Sequence, residues 1–219
     1  MKHLKEYIQQ NEAEDLNRLF VRHAKKGNHD ELDDLIQHYK KHITEESVGI
    51  SVEKTSLNGY VESLDLLLRE FQPHKHFIDI ALLNACTNGH IQVAESLFKY
   101  MKQNPDIVGS DPDDEEDEGV NIYHNLLWAI KHGYVTILKI AKKYDFLDIF
   151  ENKYNHWKVA MKNSQWDVIY WMVRNTKYDV NQLVLELLPW RRTYGFAMII
   201  QHNPAAMNVV NMQKNFDLF

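Results

Sequence analysis

One cysteine, Cys86, stands in a chain of 219 residues. It leaves no thiol for an intrachain disulfide and no thiolate set for a zinc cluster, so a reducing compartment inside the cell, the cytoplasm above all, is expected. Eight glycines and five prolines are few for this length, which excludes a sandwich or barrel built on many tight turns. No apolar run approaches the ~20 residues of a membrane-spanning helix. The opening, MKHLKEYIQQNEAEDL, lacks the apolar stretch of a secretory signal, so no membrane partner is expected. Phosphate-binding, dinucleotide-binding and nucleophile-elbow motifs are also missing. The expectation is a non-catalytic protein without a cofactor or metal.

Charge is concentrated rather than scarce. The net charge is −6, and Asp111, Asp113, Asp114, Glu115, Glu116, Asp117 and Glu118 crowd into one short run. Without them the chain is nearly neutral. Lys25-Lys26, Lys40-Lys41 and Arg191-Arg192 are short and scattered, so direct nucleic-acid binding through clustered phosphate contacts is not expected.

What the chain does contain is a repeat. Leu82-Leu83-Asn84-Ala85-Cys86-Thr87-Asn88-Gly89-His90, followed by Val93, Leu97 and Phe98, reads as two short helices broken at Asn88-Gly89. The frame recurs around Gly27, Gly59 and Gly133, in a glycine-less copy at Ser164, and in a worn copy near Tyr194. Successive breakers lie about thirty residues apart. The exception is the interval from Gly89 to Gly133, which holds the acidic run as an insertion of roughly a dozen residues. A small residue four before the breaker, as at Thr55, Ala85, Ala129 and Ala160, lets the neighbouring helix approach. The breaker suits the left-handed backbone of a helix end. Apolar residues at offsets 2, 5 and 8 or 9, often 4, form one stripe of the second helix. Neither helix hides its stripe alone, whereas stacked pairs share a core.

These residues resemble ankyrin repeats over about 14–203. Asn88-Gly89-His90 with Val93, Leu97 and Phe98 matches that pattern best, and Lys131-His132-Gly133 with Val135, Ile137 and Leu138 comes second. The T-P-L-H opening is absent from every copy, and Trp190 beside Pro189 occupies the small-residue position of the last one. The expected fold is therefore all-α: an ankyrin-like solenoid of about six helix pairs with few or no regular β-hairpin fingers. A tetratricopeptide array is the structural rival, but its period is 34 residues and its signature is missing. Residues 1–13 read as an N-terminal cap, 14–203 as the solenoid with its insertion at 104–120, and 204–219 as a C-terminal cap or tail. Repulsion among the acids, with little apolar area to bury, makes 104–120 a mobile excursion by expectation.

Other features carry less chemistry. His38 and His42, at i and i+4, would face one side of a helix, but no third ligand follows and a metal site is not expected. His74-Lys75-His76 reads as a loop. His90 and His132 stand beside breaker glycines, where the resemblance implies hydrogen bonding at helix ends. Asp111-x-Asp113-x-Glu115 has Glu116 where a calcium loop needs glycine and Ile122 where it needs glutamate. Cys86 reads as a buried thiol, and Trp157, Trp166, Met172 and Val173 read as core. Trp190, Arg191, Arg192 and Tyr194 are residue types enriched in binding hot spots.

The resemblance implies an adaptor that recognises another protein through a concave face and loops, and its divergent repeats point to a viral or pathogen-type protein or an orphan regulator. The alternative is an acidic mimic whose 111–118 loop blocks a basic nucleic-acid- or protein-binding site.

Overall fold

The computed structural model describes residues 13–109, 119–146, 156–175, 196–197, 200–201 and 204. Among them regular structure is helical, and the β pairing is one isolated bridge, Val108 with Val120. The chain divides into two compact units, Met1–Phe146 and Leu147–Phe219.

The described residues of unit one form four helix pairs: α1 (Ala13–Lys26) with α2 (His29–Tyr39), α3 (Glu45–Asn58) with α4 (Val61–Glu70), α5 (Lys75–Asn88) with α6 (Ile91–Gln103), and α7 (Ile122–His132) with α8 (Val135–Lys143). The first helices pack in series, α1 on α3 on α5 on α7. The second helices do the same, α2 on α4 on α6 on α8. The described part of unit two includes α9 (His156–Lys162) and α10 (Trp166–Asn175), which pack on each other.

Each of these described pairs turns through the same corner. Gly27, Gly59, Gly89, Gly133 and Ser164 all have left-handed backbones, with φ between 57° and 79°. The N–H just past each corner donates to the carbonyl four residues before it: Asn28 to His23, Tyr60 to Thr55, His90 to Ala85, Tyr134 to Ala129 and Gln165 to Ala160, at 2.8–3.1 Å. This is the long bond of the Schellman helix end. The small residues Thr55, Ala85, Ala129 and Ala160 therefore have two duties. Their side chains are fully buried against neighbouring helices, and their carbonyls close the corner.

A second regularity ties each corner to the preceding one. The ring that follows one corner glycine lies on the glycine of the layer before: Tyr60 on Gly27, His90 on Gly59, Tyr134 on Gly89. An ideal β-carbon on Gly89 would sit 2.7 Å from the Tyr134 ring. The His90 ring also reaches the Leu57 carbonyl at 3.0 Å through Nε2. A carbonyl only accepts, so Nε2 carries the proton.

Clamps between first helices complete the stack. The Asn17 side-chain oxygen accepts the Thr44 N–H (2.9 Å) at the N-cap of α3. Asp79 does the same for Asn121 (2.9 Å) at the N-cap of α7, and also receives the buried Asn125 amide (2.8 Å). Asn17 and Asp79 each stand ten residues before a corner glycine. The equivalent position in α3 is Gly49, against which the Phe77 ring of α5 packs with no room for a β-carbon. Helix α3 buries Ser47, Ser51, Thr55 and Ser56. The Ser51 and Thr55 hydroxyls donate back to carbonyls four residues earlier, which satisfies them inside a close contact.

The core stripe departs from the expected spacing. Offsets 4, 5 and 8 are buried in α4, α6, α8 and α10, as in Val93, Ala94 and Leu97. Offset 2 is not: Val61, Val135 and Trp166 are half-buried and Ile91 is 40% exposed. Offset 2 opens the second helix at the corner, at the edge of its buried stripe. In α10 Trp171 takes the buried place expected of Trp166, and Val173 is only half-buried, while Trp157 and Met172 are core as expected.

Three local expectations are corrected. Helix α2 stops at Tyr39, whose ψ of 13° breaks it, and His42 falls in a separate 3-10 turn, Lys40–His42. His38 and His42 therefore do not share an α-helical face. His74-Lys75-His76 opens α5 rather than forming a loop, with the His74 ring accepting the His76 N–H (3.3 Å) at the N-cap. The flanks of the acidic insertion are folded. Pro105–Ile107 is a 3-10 turn, Val120 is buried, and the Val120 N–H donates to the Ile107 carbonyl (2.8 Å).

Candidate interaction surfaces

The second helices leave an open groove of about 820 Å³ between α4 and α6. The α4 wall presents Val61, Glu62, Asp65, Leu68 and Arg69. The α6 wall presents Glu95, Lys99 and Tyr100 among its residues, and Tyr144, just past α8, also lines it. The two walls carry matching charge patterns because they share the repeat frame. At offsets 3, 6 and 10 from the corner glycine, α4 has Glu62, Asp65 and Arg69, and α6 has Gln92, Glu95 and Lys99. Both walls are thus acidic or polar near the corner and basic at the far end.

Neighbouring ion pairs frame this groove. The Lys143 ammonium lies 2.6 Å from Glu95, and the hydrogen bond to that carboxylate raises the pKa of Lys143. Arg69 and Lys40 both reach Glu70, at 3.0 and 3.2 Å, and hold its carboxyl below the usual range. Burial pushes the Tyr100 phenol above its ordinary pKa. At the corner end Leu57 and Ile91 are exposed large hydrophobic residues. Their neighbourhood is fixed by the bond from His90, the residue before Ile91, to the Leu57 carbonyl.

A second surface feature is the base of the acidic insertion. The Gly109 N–H donates to the Val120 carbonyl (3.2 Å), and the backbones of Gly109 and Gly119 touch so closely that neither side has room for a β-carbon at 119. The residues that flank the acidic run, Gly109 and Gly119, are therefore held against each other. Asp111, Asp113, Asp114, Glu115, Glu116, Asp117 and Glu118 themselves lie outside the described residues, as do Trp190, Arg191, Arg192 and Tyr194.

A third is a ladder of rings. His132 stacks between Trp128 (6.2 Å) and Tyr134 (5.8 Å), with the Lys131 ammonium 4.3 Å from the Trp128 ring centre. His132 is thus held by stacking, whereas His90 makes the hydrogen bond expected at a helix end. Cys86 is fully buried and desolvation raises its thiol pKa far above the ordinary value, which keeps it protonated and unreactive.

The groove was not among the sequence-derived candidates. Its signal was present in the outward offsets of the repeat, where charge changes sign along each second helix. Among the described residues no group of His, Cys, Asp or Glu is placed to hold a metal ion, and no helix is long and apolar enough to cross a membrane. No protein-family model matches the chain, and neither a curated protein nor a solved structure matches it.

Proposed function

We propose that this chain is an ankyrin-like repeat protein, a non-catalytic module of the cell interior that recognises another protein. The observation that carries the reading is the identical corner at Gly27, Gly59, Gly89 and Gly133, each layer seated on the one before by a ring or clamp. Such stacking spends side chains on neighbour contacts and leaves long outer faces for partners. The test begins with crosslinking of the full chain in its native cell. A candidate protein is then purified and its binary complex rebuilt. The expected result is a stoichiometric complex by analytical ultracentrifugation. Failure of every candidate to bind when purified, together with small-molecule turnover abolished by one polar substitution, would sink the reading.

A second reading rests on the seven acids that the sequence places between Gly109 and Gly119, two residues whose backbones touch. In it the 111–118 run mimics an acidic ligand and blocks a basic site. Affinity then falls steeply with added salt, and deletion of 110–118 abolishes the complex. Retention of the complex after that deletion assigns binding to the helical layers.

A further inference from the structure

We infer that the α4–α6 groove is the docking site for one amphipathic helix of a partner protein, lying antiparallel to α4 and α6, acidic in its first turn and basic in its last. This inference rests on the protein-recognition reading and gives it an address and a ligand chemistry.

Three observations carry it. The first is charge. Glu62 and Asp65 stand together near the corner, and Lys99 stands toward the opposite end. Glu62 precedes Arg69 by seven residues, roughly 10 Å of helix rise. A ligand that complements both ends therefore needs opposite charges about two turns apart, which a helix supplies from one face. The second is orientation. Helices α4 and α6 present their positive dipole ends at the corner. An antiparallel helix sets its dipole against theirs, and its acidic first turn then faces Lys99, with Arg69 shared between that turn and Glu70. Its basic last turn faces Glu62 and Asp65. That same charge order favours the ligand's own helix ends. The third is the apolar floor. Val61 and Leu68, also seven residues apart, line the groove with Tyr100 and Tyr144, matching apolar side chains at i, i+4 and i+7 of a ligand helix.

This surface differs from the concave face and loops anticipated above, because it is built by the second helix of each pair.

The test uses the full chain and a displayed library of 14-residue helices with apolar residues at i, i+4 and i+7 and randomised charges in the end turns. Selected binders are expected to be acidic in the first turn and basic in the last. Glu62→Lys with Asp65→Lys should weaken them by about tenfold or more, and reversing the ligand's basic turn should restore binding to the variant. These residues are exposed, and matching thermal melts confirm that the variant remains folded. Binders without charge polarity, or binders indifferent to Glu62 and Asp65, overturn the inference. So does concentration-dependent self-association lost in the same variant, which would make a second copy the occupant. A rebuilt native complex that survives the variant overturns the groove and leaves the protein-recognition reading standing. A groove that selects polar helices from a chain with no protein partner in its cell does the reverse.

Discussion

The ring of Tyr134 rests on the α-carbon of Gly89, across the interface between two successive helix pairs. One residue thereby meets two demands: Gly89 has a φ of 71°, and the space a side chain would fill belongs to the next layer.

Gly89→Ala therefore strains the backbone and collides with the ring at once. The left-handed penalty of about 1–2 kcal/mol adds to overpacking of about 1–3 kcal/mol. A loss of about 2–5 kcal/mol in urea unfolding is expected. A loss under about 1 kcal/mol would show that the ring moves aside freely.

Ser164 is the opposite case. It holds a left-handed backbone, φ 57°, without being glycine. Ser164→Gly relieves that cost against a smaller entropic loss in the unfolded chain, so a gain of about 0.5–1 kcal/mol is expected. Slower amide exchange over 156–175 is the readout, and faster exchange would refute it.

Asp79 receives both the Asn121 N–H and the buried Asn125 amide. Asp79→Ala leaves both donors without that acceptor. Hydrogen bonds to a charged group are worth about 1.5–3 kcal/mol each, so loss of both puts the expected destabilisation at about 3–6 kcal/mol, with exchange rising first at the start of α7. Asp79→Asn should cost less, because one acceptor oxygen remains.

His156 is buried and desolvation lowers its pKa from 6.5 to about 3. The unfolded chain binds a proton there below pH 6.5, while the folded chain does not until about pH 3. Stability is therefore complete above pH 6.5 and falls with acidification by about 1.4 kcal/mol per unit until about pH 3. Exchange over 156–175 should show that slope in the parent chain, and His156→Leu should remove His156's share of it. An unchanged slope in the variant would assign it to other groups.

Ser56 buries a hydroxyl that makes no hydrogen bond. Ser56→Ala removes a desolvated polar group at little cost in volume, and a change between zero and a gain of about 1 kcal/mol is expected in the same unfolding assay.

Much of the helical architecture was legible because the corner chemistry is local. A left-handed residue, a small residue four places earlier and an apolar stripe all lie within one short window, so Gly59, Gly89 and Gly133 reveal their equivalent roles in one dimension. The ring at offset 1 was equally visible as Tyr60, His90 and Tyr134, but its meaning is non-local: each ring serves the glycine of a different pair. Offset 2 misled because apolar character alone does not say where the buried stripe ends, and Ile91 lies at its edge. The clamps of Asn17 and Asp79 were hidden for the same reason, since a polar residue ten places before a glycine shows no partner until the helices stack. The groove stayed unread because charge on a second helix looks like ordinary solvation until two walls repeat it in register.

The touching backbones of Gly109 and Gly119 have a consequence for how this protein can change. Gly109 and Gly119 meet directly, and Asp79 holds the N-cap of α7, so the start of α7 is positioned by contacts that do not involve 110–118. The short span between the two glycines makes that interval the place to splice a foreign peptide or tag, since its two ends already meet.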